Sequence, residues 1–128
     1  MSSINLRSIG TQHYVLEFDM TAIASSSGFT SLASTPHRVD GYVIKAVTHP
    51  GTVGPTDDYD ITLTDSEGCD CMGGTLVDRD IATPEQAVPL IGTAYYGDSF
   101  VEGPLTCNIA NNLVVDATTK VSVYFKRP

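Results

Sequence analysis

The sequence has 128 residues, of which 41% are hydrophobic and only 17% charged. That length argues for a single domain over 1–128, and a folded chain of this size exposes roughly 6,500 Å² while hiding roughly two-thirds of its extended surface, enough to fold without a metal or disulfide staple. Seven Lys plus Arg stand against fifteen Asp plus Glu, a net charge of −8, so the clustered bases that a nucleic-acid backbone demands are missing and no nucleic-acid partner is expected. No apolar run nears the roughly 20 residues that cross a bilayer, and MSSINLRSIG lacks a signal peptide's apolar stretch, so the expectation is no membrane partner and synthesis in a cytoplasm.

Residues 1–12 read as an edge strand or an N-terminal arm, with Ile4, Leu6 and Ile9 as the apolar positions that would meet a neighbour by strand addition. Tyr14, Leu16, Phe18 and Met20 then alternate with His13, Val15, Glu17 and Asp19, the period-2 pattern of a strand with one face on a core. Residues 21–37 (TAIASSSGFTSLASTPH) form the first of two long loops and bring Phe29 and Leu32. Val39, Gly41, Val43, Lys45 and Val47 interleave with Asp40, Tyr42, Ile44, Ala46 and Thr48, so both faces of that strand are partly apolar and it is central or covered on both sides.

Tyr59, Ile61 and Leu63 predict a further strand, closed by the turn Asp65-Ser66-Glu67-Gly68 into a hairpin whose return arm is residues 69–72. The second long loop, 77–104, contains Ile91, Tyr95, Tyr96 and Phe100, and its residues 87–91 can hide a strand. Thr83-Pro84-Glu85-Gln86 is the one helix-start signal, limited to about a turn by Pro89. Leu105, Cys107 and Ile109 make another strand, Asn111-Asn112 and residues 116–119 are turn-like, and Val121, Val123 and Phe125 alternate to the end. The fold class is therefore all-β: an antiparallel β-sandwich or small barrel with two long loops and at most one helical turn.

Three cysteines, Cys69, Cys71 and Cys107, are too few for a disulfide framework and fit a reducing compartment. Two thiols two apart on a strand share a face, but with Cys107 they offer only three ligands, and small core thiols explain them better. Residues 57–80 hold eight acids against Arg79, a balance of 1 − 8 = −7, without the spacing of a calcium loop. Carboxylates flanking turns are the simpler reading. His13, His37 and His49 are scattered, carboxylate pairs such as Glu17 with Asp19 or Glu85 with Glu102 are expected by chance, and no nucleophile elbow or phosphate loop is present. The expectation is a chain that is not an enzyme and carries no metal or cofactor. Tyr95, Tyr96 and Phe100, close together between Gly92 and Gly103-Pro104, are the compact aromatic group for contacting other proteins.

The segments GYVIKAVTHPG (41–51), PTDDYDITLTDSEGCDCMGG (55–74), LVDRD (76–80), EQAVPL (85–90), GPLTCNIANN (103–112) and TKVSVYF (119–125), taken in order, resemble small virion proteins of tailed bacteriophages and prophages. The resemblance spans about two-thirds of the chain and leaves residues 1–40 outside. It implies a structural protein, foremost a capsid decoration or cement protein on the virion exterior, made in the host bacterial cytoplasm and assembled as a homo-oligomer, with the major capsid protein and sister copies as partners. A tail, neck or fibre module of the same virion fits the same resemblance. A carbohydrate- or receptor-binding module is the further alternative, with Tyr95 and Tyr96 as its platform. The residues expected at a protein interface are Ile4, Leu6, Ile9, Phe29, Leu32, Tyr95, Tyr96 and Phe100.

Overall fold

A computed structural model describes residues 2–35 and 37–128, and no helix occurs among them. The strands are β1 (Ser3–Ile9), β2 (His13–Thr21), β3 (Leu32–Ala33), β4 (Asp40–Pro50), β5 (Asp60–Thr64), β6 (Glu85–Ala87), β7 (Leu90–Ile91), β8 (Tyr95–Tyr96), β9 (Ser99–Glu102), β10 (Thr106–Ala110) and β11 (Thr118–Lys126). Six of them form one antiparallel sheet, here the wide sheet, in the order β1-β2-β11-β4-β6 with β9 also on β4. β3-β10-β5 make a narrow sheet, and β7-β8 stand as a separate hairpin.

β11 lies between β2 and β4, and this central place explains why Val121, Ser122 and Val123 are all buried despite their alternation. Its inward residues Val121, Val123 and Phe125 pair with Phe18, Leu16 and Tyr14 on β2. Tyr14 and Phe125 stack with ring centroids 4.9 Å apart. From the narrow sheet, Ile61, Leu63 and Cys107 meet this face in one core cluster. Each such aliphatic side chain taken fully out of water stabilises the fold by about 1.5–3 kcal/mol. The folded surface is 6453 Å², the value a well-buried chain of this length should show.

On β4 the expected face divides. Phe125 pairs with Val43 but Tyr124 pairs with Lys45, so Ile44 is the extra residue of a β-bulge. Gly41 and Val43 point inward before it, Ala46 and Thr48 after it, and Lys45 and Val47 turn to the outer face. The two apolar faces read from the sequence are thus one inward face that changes phase.

Three further expectations are corrected. The loop 77–104 contains four short strands, β6 to β9, and Glu85 begins a strand paired through Thr48, where the sequence signalled a helical turn. A cap signature is local, and pairing with an available sheet edge overrides it. The return arm of the 59–72 hairpin shrinks to a single bridge, Thr64 to Asp70, because the Asp70 carboxylate accepts from the backbone N–H groups of Leu63, Met72 and Gly74 and turns the chain away. Thr118 and Thr119 belong to β11 and not to the turn before it.

Between the sheets the Tyr59 ring is fully buried, and its hydroxyl lies 2.9 Å from the Thr119 hydroxyl on β11. Thr119 also donates to the His49 carbonyl at 3.3 Å. Tyr59 precedes β5, so this bond ties the narrow sheet to the middle of the wide one. We expect Tyr59→Phe to cost about 1 kcal/mol, since Thr119 keeps its carbonyl acceptor, and Tyr59→Ala about 3–5 kcal/mol through the cavity left behind, both read from urea unfolding midpoints.

Candidate interaction surface

Tyr95 and Tyr96 sit on β8, which pairs with β7 through Leu90 to Tyr96 and Ile91 to Tyr95. The hairpin is rooted on the turn of residues 71–76: the Leu90 N–H donates to the Met72 carbonyl at 3.0 Å. Gly73 makes that approach possible, since it has φ +63° and any Cβ there would collide with the Leu90 carbonyl. The rings are left in water, Tyr95 65% and Tyr96 63% exposed. Beside Tyr96 opens a groove of about 540 Å³ lined by Lys45, Thr75, Gln86, Ala87 and Val88. Lys45 donates to the Gln86 side-chain oxygen at 3.1 Å and lies 4.9 Å from the centre of the Tyr124 ring.

Phe100, 53% exposed on β9, meets Tyr42 of β4 edge to face with centroids 5.2 Å apart. Both aromatic sites therefore flank one stretch of β4, where the bulge brings Lys45 onto the same outer face as Tyr42. Tyr42 was not among the expected residues. It looked like one more alternating position, and only the pairing of β9 with β4 shows that it partners Phe100. Leu113, 81% exposed in a segment that read only as turn-like, was also missed. Its one signal was an apolar residue directly after Asn111-Asn112.

The other expected residues part company with this group. β1 is paired along its whole length with β2, from Ser3 opposite Asp19 to Ile9 opposite His13, so residues 3–9 are an edge strand and not a free arm. Ile4 is half-buried against the core, while Leu6 and Ile9 are exposed, at the edge of the wide sheet opposite β6 and β9. Phe29 and Leu32 also pack against the core. The 21–37 segment, whose residue 36 lies outside the described residues, is fastened down elsewhere, with the Ala22 N–H donating to the Ala117 carbonyl at 2.9 Å and the Asn112 amide to the Ser27 carbonyl at 2.8 Å.

Charges on the outer face are balanced locally. Glu17 lies 3.7 Å from Arg7 and 3.6 Å from Lys120, and Asn5 donates to it at 3.1 Å. Burial pushes its carboxyl up, but the Asn5 bond and the two cations outweigh that and hold it below the usual range. The 57–80 acids mostly serve turns: Asp65 accepts from Glu67 and Cys69, Asp80 from Ala82 and Thr83, and Asp60 from Asp78 and Asn111. Backbone bonds from Ala82 and Thr83 lower the Asp80 carboxyl, whereas Asp57 first, then the other acids nearby, raise that of Asp58. Among the described residues no three His, Cys, Asp or Glu gather at metal-binding distances.

Cys69 and Cys71 do not share a face: Cys69 is exposed, and Cys71 and Cys107 are buried. Burial pushes the Cys71 thiol up to about 12 and raises that of Cys107 as well.

No protein-family model matches the chain, and no curated protein matches it. Among solved structures it is similar to a chain of the cyanophage Pam1 capsid asymmetric unit, at 14% identity over 99% of this chain and 86% of that one, with a TM-score of 0.41. It is also similar to a cupin domain from Bordetella pertussis Tohama I, at 12% identity over 99% of this chain and 94% of that one, with a TM-score of 0.33. Likeness at this level leaves the reading of the surface to the chain's own residues.

Two outcomes follow from these side chains. A thiol reagent should modify Cys69 alone in the folded chain and all three cysteines in urea; fast labelling of a second thiol without unfolding would contradict the buried placement. Because the Asp58 carboxyl titrates higher in the folded state, its charge opposes folding above that value and ceases to do so as the pH falls below the ordinary Asp value of 3.8. Asp58→Asn, acceptable at φ +66°, should therefore stabilise the chain at pH 7 and lose that advantage near pH 3, as read from thermal midpoints.

Proposed function

We propose that this chain is a non-enzymatic structural protein of a bacteriophage virion, a capsid decoration or cement protein that bridges coat subunits on the particle exterior. The observation that carries the reading is the aromatic group on one side of the wide sheet, Tyr95 and Tyr96 on their hairpin and Phe100 with Tyr42 beside it, all left in water. Aromatic rings supply much contact area for little lost side-chain freedom, which is why they concentrate at protein interfaces. The resemblance of residues 41–125 to small phage virion proteins supports the same reading. A net charge of −8 would help keep unassembled chain in solution until it meets the shell. The partners are then the major capsid protein and sister copies.

A second reading is favoured by one observation, the groove beside Tyr96 where Lys45, Gln86 and Thr75 place polar groups next to an exposed ring, as a sugar-binding platform would. The experiments separate the two. Quantifying the chain in purified particles should give copies in the hundreds, as a symmetric shell requires. A dozen or fewer would move it to a tail, neck or fibre. The double variant Tyr95→Ala/Tyr96→Ala should lower particle occupancy about tenfold or more, with the isolated chain's stability changed by less than about 0.5 kcal/mol. Unchanged occupancy, together with glycan-array binding that the double variant abolishes, would favour the sugar platform.

A further inference from the structure

Sheet edges left open invite other strands, and natural sheets blunt them with short strands, Lys or Pro, bulges or covering segments. The edges of this molecule are blunted in these ways except at β1. On the far side of the wide sheet the edge is divided between β6, with 3 residues, and β9, with 4. In the narrow sheet β3 has 2 residues, and β5 is covered by the turn of residues 71–76, through the Ile61 N–H on the Leu76 carbonyl and the Cys71 N–H on the Leu63 carbonyl. β1 has 7 residues, SINLRSI, without Pro, Lys or bulge; its one charge, Arg7, lies 3.7 Å from Glu17 of the same sheet, and its pairing with β2 runs unbroken. Among the described residues no strand pairs with its other side.

The sequence of β1 is also suited to meeting itself. An antiparallel pair centred on Leu6 places Leu6 opposite Leu6, Asn5 opposite Arg7, Ile4 opposite Ser8 and Ser3 opposite Ile9. The strand's single charge then faces an amide and not another cation, while each Arg7 keeps its own Glu17. Ile4, Leu6 and Ser8 point to the core side, since they pair with Phe18, Leu16 and Tyr14. Leu6 is 37% exposed there, and a second Leu6 would cover it. The acidic cluster, which carries most of the net charge, sits on the turns around β5 in the other sheet and not on this edge.

We propose that β1 is the pairing edge of a two-fold dimer, in which β1 of one copy adds antiparallel to β1 of a second copy about Leu6 and joins the two wide sheets into one. The main chain supplies the affinity and the matched pairs supply the register. The two-fold axis consumes both edges at once, so the association closes at two chains. The proposal rests on the virion reading only for its purpose, as the contact between sister copies. Its test uses purified chain alone, so it can fail while the aromatic contact to the coat stands, and the reverse.

Sedimentation of the purified full chain should show a concentration-dependent monomer–dimer equilibrium. Asn5→Lys puts an ammonium opposite the second copy's Arg7 while facing Glu17 within its own chain, and should weaken the dimer about tenfold or more, with the unfolding midpoint unchanged at concentrations where the chain is monomeric. In a Cys69→Ser background, Leu6→Cys should form a disulfide-linked dimer under oxidised glutathione, two thiols giving one disulfide as the glutathione disulfide is reduced. Ser3→Cys, far from its counterpart in this register, should not. A chain that stays monomeric with Leu6→Cys unlinked would overturn the proposal, as would a dimer linked through Ser3→Cys or one indifferent to Asn5→Lys.

Discussion

The wide sheet has six strands and the narrow one three, and a core can form only where both are present. That inequality decides what the molecule shows to its surroundings. Over β2, β11 and β4 the inward side chains of the two sheets close on each other and leave no exposed aliphatic surface. Toward β1 the cover thins: Ile4 still reaches the core cluster, but Leu6, two residues on and on the same side, is 37% exposed. On the opposite flank β6 and β9 share the edge, and the β7-β8 hairpin rests beyond them with its tyrosines in water. Leu6 and Ile9 at one flank and Tyr42 and Phe100 at the other are therefore exposed because of sheet width, while Ile23, Val53, Leu113 and Val115 are exposed in the loops. The Tyr59 to Thr119 bond keeps the narrow sheet seated over the centre, which leaves both flanks uncovered.

Charge is sorted along the same lines. The acids of residues 57–80 spend their oxygens on backbone N–H groups of the turns that carry β5 and its neighbours, a use in which a carboxylate does what a turn's own carbonyls cannot reach. Crowding them has a cost, visible where Asp57 and the other acids raise the Asp58 carboxyl. The outer face of the wide sheet is different in kind: Glu17 between Arg7, Lys120 and Asn5, and Lys45 shared by Gln86 and the Tyr124 ring, leave little uncompensated charge. A face that is locally neutral and bordered by aromatic rings loses less on desolvation than an acidic one would.

How much of this was legible from the sequence follows from how long each pattern runs. β2 and the end of β11 repeat inward and outward positions over 9 residues against a single core, and their facing could be read directly. β4 has 11 residues, yet its phase changes at Ile44, and a bulge leaves no mark in composition. β6 to β9 have only two to four residues each, too few for a period to show, so they merged into an apparent loop. Tyr95, Tyr96 and Phe100 could be found because crowded aromatics cannot all enter one core. Tyr42 could not, since its exposure depends on the pairing of β4 with β9. Phe29 and Leu32 looked available for an interface because their segment is polar. They pack on the core because that segment is hydrogen-bonded down at Ala22 and Ser27.

An open edge and an acidic body pull in opposite directions, and their balance bears on how such a chain stays in solution. A seven-residue strand paired on one side only would drive open-ended association in a neutral protein, because each added strand presents a fresh edge. Here the other flank cannot continue the ladder: β6 and β9 are short and lie beside a hairpin that runs as a separate sheet. Propagation through the sheet is blocked after one event, whichever strand takes the β1 edge. A net charge of −8 opposes further approach of copies through their remaining surface, with a reach of about 8 Å at physiological salt. The exposed rings near β8 and β9 then stay free for a surface of different chemistry, because an edge-to-edge pair does not cover them.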